Sequence, residues 1–159
     1  MSAYLTRRTI LLGLSASVGL ALPPGASAQE LPKMAVAKDP NCGCCSGWVD
    51  HIRAAGFTVE VVETSEMNRV KARLGVPPDL ASCHTAEIAG YVLEGHVPAD
   101  AVKRLLQEKP RAKGLAVPGM PIGSPGMEVE GAEAETYEVV LFGPSARSTF
   151  ARFQGPRAL

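Results

Sequence analysis

Along the chain, the spacing of hydrophobic residues alternates between the pattern typical of strands and the pattern typical of helices. Residues 34–37 form a short apolar run, which is typical of a buried strand. Residues 46–55 carry apolar side chains at helical spacing, and Gly56 follows as a typical helix end. Residues 57–61 alternate between apolar and polar positions and predict a second strand. The domain is therefore predicted to begin with a strand, a helix and a strand.

The next part of the chain continues this alternation. Residues 67–74 carry one apolar stripe and end at Gly75, which predicts a second helix. Residues 86–89 and 91–94 are predicted to be short paired strands. A third helix is expected to start at Pro98, because proline fits the first turn of a helix. Helices and strands thus follow one another closely, as in α/β proteins.

This order of elements resembles that of thioredoxin and glutaredoxin over residues 34–109. We therefore expect an α/β fold, a thioredoxin-like three-layer sandwich. Residues 137–142 and 149–153 predict a C-terminal β-hairpin extension of that sandwich. Residues 114–127, which lie between the two parts, are dominated by glycine and proline and are predicted to form a loop.

The first 28 residues are not expected to belong to the fold. Two arginines precede an uncharged apolar run over residues 10–22, and a small-residue triplet ends at Ala28. This arrangement predicts a secretory signal peptide, and the arginine pair also fits a twin-arginine signal. The run is shorter than the about 20 residues that a bilayer-spanning helix needs, so stable membrane insertion is not expected. The prediction is a periplasmic protein with one mature domain over residues 29–159.

Composition narrows the possible partners. The whole chain has 159 residues, 16 basic and 16 acidic, and 46% of its residues are hydrophobic, which is enough for one domain with a real core. Cleavage after Ala28 would remove two arginines and leave a net charge of −2. A nucleic-acid partner is not expected, because the mature chain lacks the clustered lysine and arginine that phosphate binding requires.

The cysteines carry the main chemical signal. Cys42 and Cys45 form a Cys-x-x-Cys pair where the first strand meets the first helix, and the helix N-terminus there favours thiolates. A bridge between cysteines so close in sequence closes almost no loop, which argues against a purely structural role. Cys44 lies inside the pair. Three sulfurs in four residues favour a binding site for a thiophilic ion.

A second part of the chain is expected to join this cluster. In a thioredoxin-like order, the loop before the paired strands packs against the Cys-x-x-Cys turn. That loop contains Cys83 and His84, which are therefore predicted to reach the same site. His51 and His96 lack ligand spacing and are expected to be ordinary surface residues.

Two methionines bear on the choice of metal. Thiolates with imidazole suit zinc as well as Cu(I), whereas thioethers favour soft copper. Met120 and Met127 lie in the glycine-proline loop, which is able to fold back over the cysteines. Core packing is the equally weighted alternative for each methionine.

Several longer segments resemble the CopG-type periplasmic copper-resistance proteins. These segments are KDPNCGCC (38–45), LGVP (74–77), SCHT (82–85), EGHVP (94–98), GLAVPGMP (114–121) and GSPGME (123–128). The resemblance implies a thioredoxin fold with a Cys-x-Cys-Cys copper site that holds several Cu(I) ions. It also implies a role in copper tolerance, with interconversion of Cu(I) and Cu(II) as a candidate oxidoreductase activity.

The resemblance also implies a ligand set and partners for this chain. Copper ions would be the cofactor, and other periplasmic copper-handling proteins would be the partners. The candidate ligands are Cys42, Cys44, Cys45 and Cys83, followed by His84, Met120 and Met127.

Two alternatives remain open at this point. A thiol–disulfide oxidoreductase needs only Cys42 and Cys45 on the predicted fold. A small binding module stapled by disulfides would need two stable bridges among the four cysteines.

Overall fold

The computed structural model describes residues 30–144 and 146–159. The predicted signal peptide over residues 1–28 lies outside this part of the chain. Within the described part, none of the helices combines the length and the apolar character that a membrane crossing requires.

The described chain is a mixed α/β structure with one sheet of eight strands. Its helices are α1 (Gly43–Ala54), α2 (Met67–Leu74) and α3 (Ala99–Glu108), with a short 3-10 helix over Pro78–Leu80. Its strands are β1 (Met34–Lys38), β2 (Val59–Glu63), β3 (Thr85–Ile88), β4 (Tyr91–Glu94), β5 (Gly114–Ala116), β6 (Thr136–Phe142), β7 (Arg147–Gln154) and β8 (Arg157–Ala158). The predicted α/β class is confirmed.

The sheet runs in the order β2-β1-β3-β4-β5-β6-β7-β8. Strand β1 is parallel to β2 and antiparallel to β3, and β3 is antiparallel to β4. Strand β5 is parallel to β4 and antiparallel to β6. The C-terminal hairpin β6–β7 is therefore a continuation of the main sheet through β5.

The prediction that residues 114–127 are entirely a loop is wrong at its start. Gly114–Ala116 forms β5, whose three residues are all buried. A Cβ at Gly114 would collide with the carbonyl group of Val92, so glycine allows the two backbones to approach closely. A three-residue strand is too short to show a period, which is why the sequence pattern did not reveal it.

The two faces of the sheet bury separate hydrophobic cores. Helices α1 and α3 cover one face, where Trp48, Ile52 and Leu105 pack against strand residues such as Leu93. Helix α2 covers the other face. Its Leu74 belongs to the core that contains Val92, the neighbour of Leu93 on β4. Adjacent strand residues point to opposite faces, so two helical layers enclose one sheet.

The hairpin β3–β4 brings distant residues to one end of the sheet. Its two-residue turn, Ala89-Gly90, has positive φ angles of 48° and 85°, as a type I′ turn requires. At the opposite end of the hairpin, Thr85 pairs with Glu94, and the amide of Gly95 donates a hydrogen bond to the carbonyl of His84. The residues just before β3 and just after β4 therefore lie side by side.

Residues 117–127, here called the strap, pass over the N-terminus of α1. Ser82 donates a hydrogen bond from its hydroxyl to the carbonyl of Gly119. Gly126, with a φ of 83°, lies so close to α1 that a Cβ would come within 2.5 Å of the Cys44 oxygen and the Trp48 nitrogen. The strap is thus fitted tightly against the helix at this glycine.

Gly126→Ala is expected to lower the free energy of unfolding by about 2–4 kcal/mol. Backbone strain at a positive φ contributes about 1 kcal/mol, and the collision with α1 contributes the remainder, as overpacking does. Urea denaturation measures the change. Gly131→Ala is the matched control, because Gly131 has a φ of 79° and open space around its Cα. Equal losses in the two variants would contradict the tight fit of the strap.

Candidate metal centre

A turn after β1 delivers the first cysteines to a helix N-terminus. The amide of Asn41 donates to the side chain of Asp39 at 2.8 Å, and the amide of Cys42 donates to the Asp39 carbonyl at 3.1 Å. Cys42 is the N-cap of α1, with extended backbone angles, and Cys44 and Cys45 occupy the first turn. The helix begins three residues earlier than predicted, so all three sulfurs surround its positive end.

Cys42 and Cys45 are joined by a disulfide bond in this structure. Cys44 and Cys83 carry free thiols. All four cysteines lie in the described part of the chain, so the two stable bridges that a disulfide-stapled module requires are not present there. In this oxidised form, only two of the four sulfurs are able to become thiolate ligands, and the other two require reduction of the bridge.

The four sulfurs nevertheless lie together. Sγ of Cys44 is 3.5 Å from Sγ of Cys42 and 3.8 Å from Sγ of Cys83. All four sulfur atoms lie within 4.8 Å of one another. The sequence-based expectation that Cys83 would reach the Cys-x-x-Cys turn is found in the structure, while the role of these residues as ligands stays a prediction.

A second group of donors shares the sulfur of Cys83. Nε2 of His96 lies 3.0 Å from this sulfur, and Nδ1 of His84 lies 3.4 Å from it. The three donor atoms lie within 4.8 Å of one another. Cys83 therefore stands between a group of sulfurs and a pair of imidazoles, which is the position of a bridging ligand.

His96 is held in a defined orientation. Its Nδ1 lies 2.8 Å from the carbonyl oxygen of Pro125 in the strap, and only a protonated nitrogen can donate to that oxygen. In the neutral ring, Nε2 then keeps its lone pair and directs it toward Cys83. Burial is the main effect that lowers the pKa of His96, so the ring is neutral at neutral pH. A backbone carbonyl commonly orients a metal-binding histidine in this way.

The surface position predicted for His96 is wrong, because the residue is completely buried. The sequence did contain a sign that His96 lies near the site. His84 directly precedes β3 and His96 follows β4 by two residues, and an antiparallel strand pair places both positions at the same end.

His84 is buried among aromatic side chains. Its ring centroid lies 4.3 Å from that of Trp48 and 5.0 Å from that of His96. Its Nε2 has no hydrogen-bond partner among the described residues. Burial, followed by the charges of His96 and Lys71, holds the pKa of His84 well below its ordinary value. The ring is therefore neutral, which is the form that binds metals.

The thiol of Cys83 differs from an exposed cysteine. Burial, with a smaller contribution from Cys44, raises the pKa of Cys83 to about 11. The side chain is thus a thiol at neutral pH, and a cation bound to its sulfur would displace the proton. Two neutral imidazoles beside a sulfur form a donor set that fits a soft or borderline metal ion.

The remaining candidates are two methionines. Met120 is exposed and Met127 is partly buried, both on the strap. The strap contacts that the structure gives at this end are made by backbone atoms of Gly119, Pro125 and Gly126, so ligation by the methionines stays a prediction. His51 makes its contact outside the cysteine group, because its Nε2 accepts a hydrogen bond from the amide of Ala99 at the start of α3.

The chain is similar to one protein family and to two solved structures. Residues 80–127 match the family model described as "Protein of unknown function, DUF411", and this segment includes Cys83, both buried histidines and the strap. A comparison with curated proteins finds no match.

Two solved structures are similar to the chain over most of its length. "Copper resistance protein copG- Form 2" is 44% identical with a TM-score of 0.73, and the similarity covers 78% of this chain and 99% of that one. "Copper resistance protein copG- Form 1" has the same identity and TM-score, with coverage of 79% and 100%. The chain therefore belongs to the family of the copper resistance protein CopG, in which its segment 80–127 is the DUF411 region.

Proposed function

We propose that this protein binds copper as Cu(I) in a sulfur-rich centre and serves copper tolerance. The observation that carries the proposal is the sulfur of Cys83, which lies within reach of both the cysteine group and the two imidazoles. Thiolate ligands select Cu(I), and imidazoles accept copper in either oxidation state. The names of the similar structures support copper as the ion.

More than one ion is expected at this centre. A single tetrahedral ion needs four donors, whereas the two groups together offer four sulfurs and two nitrogens. Sγ atoms 3.5–3.8 Å apart are close enough to bridge neighbouring ions. A multinuclear cluster with Cys83 as one of its bridges uses all of these donors.

The cysteine pair also supplies electrons in this proposal. Reduction of the Cys42–Cys45 bridge by two electrons gives two thiolates. When the bridge forms again, those two electrons are able to reduce two Cu(II) ions to two Cu(I) ions. The external reductant that restores the thiolates would be a periplasmic dithiol protein. Repeated rounds of these two steps would make the protein an enzyme that interconverts Cu(II) and Cu(I).

The finer fold assignment and the location belong to the same proposal. We infer a thioredoxin-like unit over residues 34–109, supported by the strand order β2-β1-β3-β4 and by the cysteine pair at the start of α1. The sequence pattern that predicts a signal peptide over residues 1–28 is the support for export to the periplasm, where disulfides persist. Other copper-handling proteins of that compartment would be its partners.

A second candidate is favoured by one observation, which is the disulfide at the N-terminus of α1. A helix N-terminus stabilises the thiolate that leaves when such a bridge is opened. This arrangement also suits a thiol–disulfide oxidoreductase that needs neither Cys44 nor Cys83.

Cys83→Ser is expected to weaken Cu(I) binding by more than about 100-fold, because it removes the sulfur that both donor groups share. Cys44→Ser is expected to have a smaller effect, because it affects the sulfur group alone. The measurement is an anaerobic titration of the reduced mature protein against a chromophoric Cu(I) chelator. Ser46→Ala, on the exposed side of α1, is the control and should bind as the native protein does. Unchanged affinity in both cysteine variants would remove the copper proposal.

His96→Gln is expected to lower Cu(I) affinity by about 10- to 100-fold and to reduce the number of ions bound. The matched control is His51→Gln, because His51 also makes one backbone hydrogen bond but faces α3. The same titration and a metal analysis of the loaded protein measure both quantities. Equal behaviour of the two variants would show that His96 is not a ligand.

The oxidoreductase alternative predicts reduction of insulin disulfides by the native protein and by Cys44→Ser at similar rates. The reason is that only Cys42 and Cys45 exchange with the substrate. Cys45→Ser is the control and should be inactive. A rate at background level for the native protein would count against this function and would leave the copper proposal in place.

A further inference from the structure

A buried polar network lies beneath the metal centre. The Glu94 carboxylate is completely buried, and its Oε1 accepts hydrogen bonds from Nζ of Lys71 at 2.5 Å and from the amide of Ser82 at 2.6 Å. Its Oε2 accepts a hydrogen bond from the hydroxyl of Thr85 at 2.7 Å. Nζ of Lys71 also donates to that hydroxyl at 3.0 Å. One carboxylate thus joins α2, β3, β4 and the loop before β3.

This carboxylate holds both chain segments that carry the second donor group. Cys83 and His84 lie between Ser82 and Thr85, the two residues that the carboxylate binds on the first segment. On the second segment, His96 follows the carboxylate's own residue by two positions. Sγ of Cys83 on the first segment lies 3.0 Å from Nε2 of His96 on the second, so a shift of either segment would separate these two atoms.

Stability alone does not account for this network. Removal of two charges from water is costly, and buried ion pairs are often replaced by apolar side chains with no loss of stability. An apolar pair, however, offers no acceptor for the amide of Ser82. Without that acceptor, the partly buried amide of Ser82 would need another partner, and the loop would move.

We propose that Glu94, neutralised by Lys71, is a positioning residue that holds the Cys83 loop against His96 and Cys44. The proposal rests on the proposed copper function, because the positioned residues are the candidate copper ligands. The positions of these residues can nevertheless be tested in the absence of copper.

The decisive variant is the double substitution Lys71→Met with Glu94→Leu. It removes both charges and keeps apolar volume, but it leaves the Ser82 amide and the Thr85 hydroxyl without their acceptor, so the thermal midpoint is expected to fall by about 5–10 °C with the protein still folded at 25 °C. Thr85→Val is the milder second variant, since it removes one hydrogen bond to the carboxylate and leaves the ion pair. Tyr137→Phe is the control for an unrelated buried hydrogen bond, which the Tyr137 hydroxyl donates to the carbonyl of Gly155.

The copper-free measurement uses phenylarsine oxide, which binds two adjacent thiols and releases one water. With the Cys42–Cys45 bridge intact, the two available thiols are Cys44 and Cys83, whose sulfurs are 3.8 Å apart. Mass spectrometry of the unreduced protein follows the capture, and Cys44→Ser shows the background. The capture rate is expected to fall about tenfold or more in the double variant and less in Thr85→Val, whereas Tyr137→Phe should equal the native protein.

Cu(I) affinity is then measured on the same proteins. A loss of about 10- to 100-fold in a double variant that circular dichroism shows to be folded is the expected result. Native capture rates and native Cu(I) affinity in a folded double variant would overturn the proposal. If the double variant does not fold, the same two measurements are made on Thr85→Val. A native capture rate and native Cu(I) affinity in that variant would then overturn the positioning role. A native protein that captures the arsenical but binds no Cu(I) would defeat the copper function and leave the positioning role standing.

Discussion

Thr85 on β3 pairs with Glu94 on β4, and this register determines the geometry of the whole second donor group. The amide of Gly95 donates to the carbonyl of His84 directly beyond the pair, so the chain enters β3 and leaves β4 at the same point. A slip of one residue would turn His96 to the other face of the sheet. The position of the hairpin turn, 89–90, is thus the feature on which the site depends, although it lies at the far end of the two strands.

Much of the fold could be predicted because its elements are long enough to show a period. Helices α1, α2 and α3 and strands β1, β2, β3, β4, β6 and β7 were all expected within a few residues of their observed bounds. Strands β5 and β8, with three and two residues, carry no period and depend on neighbours that only the folded chain supplies. The loop assignment of residues 114–116 failed for this reason, so the strand that joins the C-terminal hairpin to the main sheet was not foreseen.

The site was predictable where its residues are adjacent in sequence or fixed by topology, as for the cysteine cluster and Cys83. His96 was missed because burial of a histidine is a tertiary property, set by the strap that covers it and by the carbonyl of Pro125. The Cys42–Cys45 bridge was also not predicted, since the spacing of these cysteines suits a redox pair or a metal ligand pair equally well. The cysteines and His84 could therefore be predicted from the sequence, whereas His96 was recognised as a candidate donor only from the folded structure.

The contact between the rings of Trp48 and His84 has a practical consequence. Trp48 is the one tryptophan in the sequence, it is completely buried, and its ring centre lies 4.3 Å from that of a candidate ligand. An indole in contact with the coordination sphere loses its fluorescence when a copper ion arrives, through electron transfer or the heavy-atom effect. If His84 binds copper, the intrinsic emission of the unlabelled protein would therefore report the arrival of the ion.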